Sequence, residues 1–250
     1  MEWNQFPFAI AGKSVPHLGD RIFGLLDDKT LLKCREVSKT WQYFVDCQTH
    51  LWNNAHLQFR AAQEGRADIY KRIIDNASDK NAVVQNCCGT PLHKAVKYGH
   101  CDICKLIINN VDDKNPACPC GWTPLHDAAE AGHSEICRLI VDNVKDKNPA
   151  SNNGETPLHI AAMNGCVDVC KLIIDQIEDK NPPDDDGWTP LHCAAERGDL
   201  EICRLIINNV PDRSPVTAKG ATPLLLARQS GCFHVVELLN YVDGLVYNSM

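Results

Sequence analysis

The sequence predicts an all-α protein in which pairs of short helices stack one after another behind a small helical domain. The main evidence is a fixed period, because the word Thr-Pro-Leu begins at Thr90, Thr123, Thr156, Thr189 and Thr222, in steps of 33 residues (123 − 90). A glycine and an apolar block such as ICKLII follow each word at the same distances, and before residue 56 the period is absent. A period of about 20–50 residues is the signature of a stacked repeat array.

Each repeat is predicted to hold two short helices. In one copy, the hydroxyl of Thr156 can cap a helix N-terminus, and Pro157 suits the first helical position, where no N–H is needed. Gly165 can end that helix in a left-handed turn, and the apolar block 169–174 belongs to the second helix. Helices this short are marginal alone, so each must bury its apolar face against the next repeat. The Asn-, Asp-, Gly- and Pro-rich segments between repeats predict hairpin tips.

The pattern G-x-T-P-L-H-x-A-A-x-x-G, which recurs in register, resembles the ankyrin repeat. The resemblance implies a solenoid of helix pairs with β-hairpin tips. Asparagines such as Asn110 stand just before the place of the family's usual glycine, and we expect them to end the second helix in a left-handed conformation. A degenerate first copy contains Ala61, Ala62 and Gly65. The six predicted repeats are 56–89, 90–122, 123–155, 156–188, 189–221 and 222–247.

Residues 14–55 are predicted to form three short helices, preceded by an N-terminal segment, residues 1–13. Leu18, Ile22, Leu25 and Leu26 give the first of these helices one apolar face. A unit of about forty residues lies near the lower size limit for independent folding. We therefore expect its large apolar groups to be covered by the repeats or by another protein.

This N-terminal region resembles an F-box. The words Ile-Phe, Leu-Asp, Leu-Leu, Val-Ser, Trp and Leu-Trp stand at 22–23, 26–27, 31–32, 37–38, 41 and 51–52. The opening departs from the family, because Ser14 and Val15 occupy the Leu-Pro places. The resemblance implies docking onto the Skp-type adaptor of a cullin–RING ubiquitin ligase. The expected adaptor contacts are Pro16, Leu18, Ile22, Leu26, Leu31, Leu32, Val37 and Trp41. The alternative is a helical cap that only shields the first repeat.

Charge and composition narrow the classes of function. The net charge of −7, with no basic run, argues against a nucleic-acid or anionic-membrane partner. No apolar stretch is long enough to span a bilayer, and the N-terminus lacks the features of a signal peptide. We therefore expect a cytoplasmic protein, with the nucleus as a second compartment, whose 14 cysteines stay reduced.

The recurring cysteines and histidines are predicted to be structural. The position of Cys104 holds Tyr70 in the first repeat and Val236 in the last, so it needs apolar volume rather than sulfur chemistry. The histidines of the Thr-Pro-Leu-His words recur with the period, whereas catalysis needs a constellation unique to one site. We therefore expect no enzymatic activity and no cofactor. A metal or redox role stays open for four cysteines of neighbouring tips, Cys87, Cys88, Cys118 and Cys120.

The predicted architecture joins a docking module to a recognition array, which is typical of a protein-interaction adaptor. By resemblance, we predict the substrate-recognition subunit of an SCF-type ubiquitin ligase, a monomer before assembly that contributes proximity rather than chemistry. The alternatives are an ankyrin scaffold or inhibitor with no ubiquitin role, and a pathogen effector that uses a host ligase.

The target protein is expected to bind the tips and the outer face of the first helices, the usual concave binding face of the family. Trp122 and Trp188 are of the residue type that dominates many interfaces, and residues 184–186 form an acidic run suited to a basic segment. Packing of each Trp against its neighbouring tip, and a solvated turn for the acidic run, are the alternatives. The predicted contacts are Lys94, Tyr98, Trp122, Asp127, Glu130, Glu155, Ile160, Met163, Asp184, Asp185, Asp186, Trp188, Glu196 and Arg197.

Overall fold

The computed structural model describes residues 54–75, 77, 79–82 and 89–247, and the secondary structure of this part consists of α-helices without strands. The helices form six consecutive pairs, as the period predicts. Their bounds are α1 Asn54–Gln63 with α2 Ala67–Asp75, α3 Pro91–Lys97 with α4 Cys101–Ile108, α5 Pro124–Ala131 with α6 Ser134–Val141, α7 Pro157–Asn164 with α8 Val167–Ile174, α9 Pro190–Arg197 with α10 Leu200–Ile207, and α11 Pro223–Gln229 with α12 Phe233–Tyr247. The predicted all-α repeat fold is confirmed. The three helices predicted within 14–55 lie outside the described residues.

In the second to fifth pairs, the first helix begins at the Thr-Pro-Leu-His word. In α5, the backbone N–H of Thr123 donates to His126 Nδ1 at 3.1 Å, and the threonine Oγ1 lies 2.9 Å from the same nitrogen. Because Nδ1 accepts the backbone N–H, the ring proton lies on Nε2, which donates to the carbonyl of Glu155 at 3.1 Å. The histidine therefore braces its own helix start and links it to the next repeat.

A second brace at the same helix start comes from the loop that precedes it. Asn148 Oδ1 accepts the backbone N–H of Leu158 in α7 at 3.0 Å, and the N–H of Asn148 is held by Asp146 Oδ1 at 3.1 Å. This arrangement satisfies one of the free N–H groups of the helix N-terminus. The Asp-Lys-Asn-Pro words thus fix the entry of the chain into the next repeat.

The left-handed glycine predicted at the end of the first helix is confirmed, and the second helix gains a side-chain bond at its end. Gly132 ends α5 in the left-handed conformation with φ 69°, and a Cβ there would lie 3.1 Å from the Cys166 sulfur, so both backbone and space favour glycine. At the end of the second helix, Asn110 acts through its side chain, whose amide donates to the Leu106 carbonyl at 2.9 Å. Asn143 makes the equivalent bond to Leu139. The asparagine satisfies a free carbonyl of the helix C-terminus.

The core is one continuous cluster along the array, since each first helix packs against the first helices of the adjacent repeats, and the second helices stack likewise. The sulfur of Cys104 lies inside this cluster with no exposed surface, and Tyr70 occupies the same place in the first repeat. Burial of this kind raises the pKa of the Cys104 thiol to about 12, so the thiol stays protonated and packs as a small hydrophobe. This agrees with the predicted role.

The tips between repeats are tight turns rather than β-hairpins within the described residues. In the tip before α7, Ser151 N–H donates to the Glu155 carbonyl at 2.8 Å, and Gly154 N–H donates to the Ser151 carbonyl at 3.0 Å. Neighbouring tips are joined by single backbone bonds, such as that from Asp185 N–H to the Asn153 carbonyl at 3.1 Å. The predicted β-hairpin is therefore reduced to a turn, because too few backbone bonds form to make a strand ladder.

Candidate protein-interaction surface

One row of exposed side chains runs along the first helices, two residues before each turn glycine. We call it the exposed row: Lys97, Glu130, Met163, Glu196 and Gln229. Met163 is 46% exposed, which is unusual for a large apolar side chain in this chain. Lys97 Nζ lies 3.5 Å from Glu130 Oε2, but both side chains are about half exposed, so this pair is worth at most about 1 kcal/mol. A partner could therefore bind the exposed row without breaking interactions that contribute much to the stability of the fold.

The residues beside this row differ in their exposure and in the contacts that hold their side chains. Tyr98 is 52% exposed. Arg197 is exposed, yet its Nη1 donates to the Met163 carbonyl at 3.1 Å and its guanidinium lies in the space that a side chain at Gly165 would need. Lys94 is half-buried, with Nζ 5.2 Å from the centre of the Phe59 ring. Among these predicted contacts, Tyr98 is the freest, whereas Arg197 also links two repeats.

Trp122 is held in place by its neighbours. Its indole N–H donates to Asp127 Oδ1 at 3.1 Å, its ring lies 4.8 Å from the His126 ring, and its carbonyl lies 3.2 Å from His93 Nε2. Asp127 is 7% exposed, and burial raises the pKa of its carboxyl to about 6, opposed by the indole bond. The alternative of packing therefore describes much of the Trp122 side chain, which is half-buried.

Trp188 occupies the equivalent place two repeats later under different conditions. Its ring lies 5.9 Å from the His192 ring, farther than in the Trp122 pair. The position of Asp127 is taken by buried Cys193, which offers no carboxylate to the indole N–H. The side chain is half-buried. The indole N–H of Trp122 therefore has a carboxylate partner in Asp127, whereas the equivalent residue near Trp188 is Cys193, which has no carboxylate.

The acidic run at 184–186 divides into one structural residue and two exposed ones. Asp184 Oδ1 accepts the N–H of Asp186 at 3.0 Å and of Trp188 at 2.7 Å, so this carboxylate closes the turn. Asp185 and Asp186 are exposed. Two negative side chains therefore project from the tip on a rigid base.

Two predicted contacts do not face outward. The position after each Thr-Pro-Leu-His word was expected on the outer face of the first helix, but Asp127 is 7% exposed and Ile160 is 4% exposed. Ile160 belongs to the continuous core, because closely packed first helices cover this position. Glu155 is half-buried, and its carbonyl serves the His126 brace. Asp127 and Ile160 therefore support the surface from beneath and are not part of it.

The histidines beneath the surface are held neutral. Burial lowers the pKa of His93 and of His126 to about 4, against the opposing effect of the backbone bond from each ring. Burial also lowers the pKa values of His159 and His192. In His126, both ring nitrogens of the neutral imidazole make hydrogen bonds that hold the backbone of its own repeat and of the next. This agrees with the structural role predicted for these residues.

Several predicted features fall elsewhere. All predicted adaptor contacts, as well as Cys87 and Cys88, lie outside the described residues. Within the described ranges, no group of three or more His, Cys, Asp or Glu side chains is placed to hold a metal ion. The helices of that same part are too short or too polar to cross a bilayer.

Sequence reasoning missed an exposed apolar surface at the end of the array. Leu225, Phe233 and Tyr241 are 42%, 77% and 68% exposed on the last helix pair, and Val216 in the preceding tip is 60% exposed. The one signal was Leu225, which stands where the other repeats carry the bracing histidine. With no further repeat beyond it in the described residues, that brace has no carbonyl to reach.

A scaffold of identical braces that carries variable outward side chains defines a protein-recognition array. Models of the ankyrin-repeat family match residues 57–150, 92–184 and 171–248. The chain belongs to the ankyrin-repeat family, and an F-box-like family model matches residues 18–58 in front of the repeats. Both families consist typically of non-enzymatic adaptors, in which the F-box binds a Skp-type protein and the repeats bind targets.

One curated relative also carries the F-box name. "F-box only protein 5" of Danio rerio is 35% identical over 91 residues, which is 34% of this chain and 23% of that protein. The match thus spans less than a quarter of the relative, and the relative's own activity does not transfer with it.

Proposed function

We propose that this protein is the substrate-recognition subunit of an SCF-type ubiquitin ligase. The observation that carries the proposal is the direct succession of an F-box-like match at 18–58 and an ankyrin match that begins at 57. A docking module and a recognition array that adjoin without a linker would hold a bound target at a fixed distance from the ligase. The contribution of this chain would then be proximity, with the ubiquitin transfer performed by other subunits.

The proposal that the N-terminal region binds the adaptor rests on the family match and on the apolar words of that region. Leu32 and Trp41 belong to the words that carry the resemblance, and in a unit this small they are expected to be shared between its core and a partner. A purified Skp-type adaptor should be retained by the full-length chain. Leu32→Asp should abolish retention, whereas Arg204→Asp, on an exposed position of α10, should not.

The pull-down separates the proposal from a plain scaffold. If the intact chain fails to retain the adaptor, the ligase function is wrong, and an ankyrin scaffold or inhibitor remains. Because Leu32→Asp can also disturb folding, the thermal unfolding of each variant should be compared by circular dichroism. An array that still unfolds at the wild-type temperature shows that the loss of binding is local to the N-terminal region.

The proposal that the repeats bind a target protein rests on the exposed row and on the two exposed aspartates at 185 and 186. Met163 lies between Glu130 and Glu196 on neighbouring first helices, and Asp185 and Asp186 are exposed at the tip that leads from this repeat into the next. An apolar centre flanked by carboxylates fits a partner segment with an apolar anchor and flanking Lys or Arg side chains. Charge of this kind speeds association and selects partners more than it adds affinity.

The proposal that the repeats bind a target protein is tested by comparison of captured proteins. Full-length wild type, Met163→Asp, Glu196→Lys and the control Arg204→Asp would each be used to capture partners from the same lysate. We expect proteins held by wild type and control to be lost with Met163→Asp and Glu196→Lys. Identical captured sets from all four would place the target surface elsewhere.

A further inference from the structure

The tip before α5 contains two cysteines in contact. Cys118 Sγ and Cys120 Sγ lie 2.7 Å apart, in hydrogen-bonding contact. A disulfide bond is about 2.04 Å long, so the sulfurs need to approach by only about 0.7 Å to bond. We call residues 118–122 the CPC tip.

The backbone of the CPC tip is fixed by four hydrogen bonds. Cys118 N–H donates to the Trp122 carbonyl at 2.8 Å, and Gly121 N–H donates to the Cys118 carbonyl at 2.8 Å. From the next tip, Asn152 donates its side-chain amide to the Pro119 carbonyl at 2.9 Å and its backbone N–H to the Cys120 carbonyl at 3.0 Å. The two sulfurs are therefore held together by the turn and by the neighbouring repeat.

The other tips show what the first position of this turn does. Asp184 Oδ1 accepts backbone N–H groups of its own turn, Thr217 Oγ1 accepts the N–H of Ala221 at 3.0 Å, and Ser151 Oγ accepts one at 3.3 Å. Cys118 occupies this place in the CPC tip, so its sulfur stands where an oxygen accepts backbone N–H groups in the other tips, and the backbone of Cys120 and Trp122 acts to lower its pKa against the effect of burial. Such donors favour the Cys118 thiolate as the second nucleophile, after Cys120 has reacted.

The two cysteines differ in access. Cys118 is 9% exposed, whereas Cys120 is exposed. The hydrogen bond from Cys118 lowers the pKa of the Cys120 thiol, and the Trp122 backbone N–H acts in the same direction. Burial raises the pKa of Cys118. The exposed Cys120 sulfur is therefore the one that a small disulfide reaches first, and the shielded Cys118 sulfur is in contact with it.

We propose that Cys118 and Cys120 form a dithiol site that reacts with small disulfides of the glutathione type and closes into a Cys118–Cys120 disulfide. In the first step the Cys120 thiolate attacks one sulfur of the small disulfide, forms a mixed disulfide and releases one thiolate. In the second step Cys118 attacks the Cys120 sulfur, forms the protein disulfide and releases the second thiolate. The protein loses two electrons and two protons, and the small disulfide gains them as two thiols.

This site is independent of the proposed ligase function, since neither residue is among the predicted adaptor or target contacts. It does adjoin the interaction surface, because the tip ends at Trp122. Oxidation would fix the tip in one geometry beside that tryptophan.

The experiment uses the full-length reduced chain and oxidised glutathione as the probe. After a timed exposure, the chain is unfolded in denaturant and free thiols are alkylated, and trypsin releases the peptide 115–138, which contains Cys118, Cys120 and Cys137. Cys137 has no exposed surface and serves as an internal control. We expect the wild-type peptide to lose two hydrogen atoms through a 118–120 link, with Cys137 still alkylated.

Two variants isolate the steps. Cys118→Ser places a hydroxyl where Ser151 stands in the next tip, so the fold should persist, and the glutathione adduct should accumulate on Cys120. Cys120→Ser should leave Cys118 largely alkylated. The proposal is overturned if wild type and Cys118→Ser carry equal amounts of the Cys120 adduct, or if both tip cysteines exchange no faster than Cys137 in wild type.

Discussion

Acid should destabilise this array through its buried histidines. Burial holds the pKa of His93 and His126 at about 4, against an ordinary value of 6.5. A histidine with a lowered folded pKa contributes stability that is present above pH 6.5 and lost as pH falls towards 4, because the unfolded chain binds more protons over that range. Linkage then gives a loss of about 2 kcal/mol for each of the two histidines between pH 7 and pH 5.

One neighbouring group acts in the opposite direction. Burial raises the pKa of Asp127 from 3.8 to about 6, so its folded form favours the proton. Stability from this group is full below pH 3.8 and lost as pH rises through 6, which returns about 1 kcal/mol between pH 7 and pH 5. The three groups together leave a net loss of about 2–3 kcal/mol. His159 and His192 shift in the same direction as the other histidines and add to it.

Urea unfolding of the full-length chain at pH 7 and pH 5, followed by circular dichroism, measures this loss. Asp127→Asn removes the opposing group, so the loss should grow by about 1 kcal/mol, whereas His126→Leu should shrink it by about 2 kcal/mol. His126→Leu should also lower the stability at pH 7, because Thr123 N–H and the Glu155 carbonyl lose a partner. Equal unfolding midpoints at the two pH values in wild type would refute the argument.

Two further substitutions test the packing and the braces. Leu158→Ala removes a side chain with no exposed surface from the centre of the core, and it should cost about 2–5 kcal/mol in the free energy of unfolding by urea; a loss below about 1 kcal/mol would contradict a close-packed core at this site. Asn148→Ala removes the acceptor for Leu158 N–H, and it should cost about 0.5–2 kcal/mol, with exposed Asn153→Ala as the matched control that should change little.

The period, the threonine caps and the buried cysteines could be predicted because each depends on residues close in sequence or repeated at one spacing. The burial of Asp127 and Ile160 could not be predicted from the sequence in this way. Which helical positions face outward depends on how closely adjacent first helices approach, and the small alanines in these helices bring them close enough to cover that position. The reach of Asn148 to the N–H of Leu158 was also missed, because its acceptor role appears only once the loop is folded back onto the helix start.

The tips show how one repeated scaffold can still carry specificity. Their first position holds Cys118, Ser151, Asp184 or Thr217, and in each case the side chain serves the turn itself. Because that position is committed to the fold in every copy, variation there does not by itself reach a partner.

The next two positions are less constrained, although the Asn152 side chain donates to the Pro119 carbonyl of the preceding tip and the Cys120 sulfur contacts Cys118. They change from Pro-Cys at 119–120 to Asn-Asn at 152–153, Asp-Asp at 185–186 and Ala-Lys at 218–219. The charge of these two positions is therefore neutral at 119–120 and 152–153, strongly negative at 185–186 and positive at 218–219. A partner whose basic groups match only the 185–186 tip would bind in one register along the array, since a shift by one repeat would bring the same groups to a neutral tip or against Lys219.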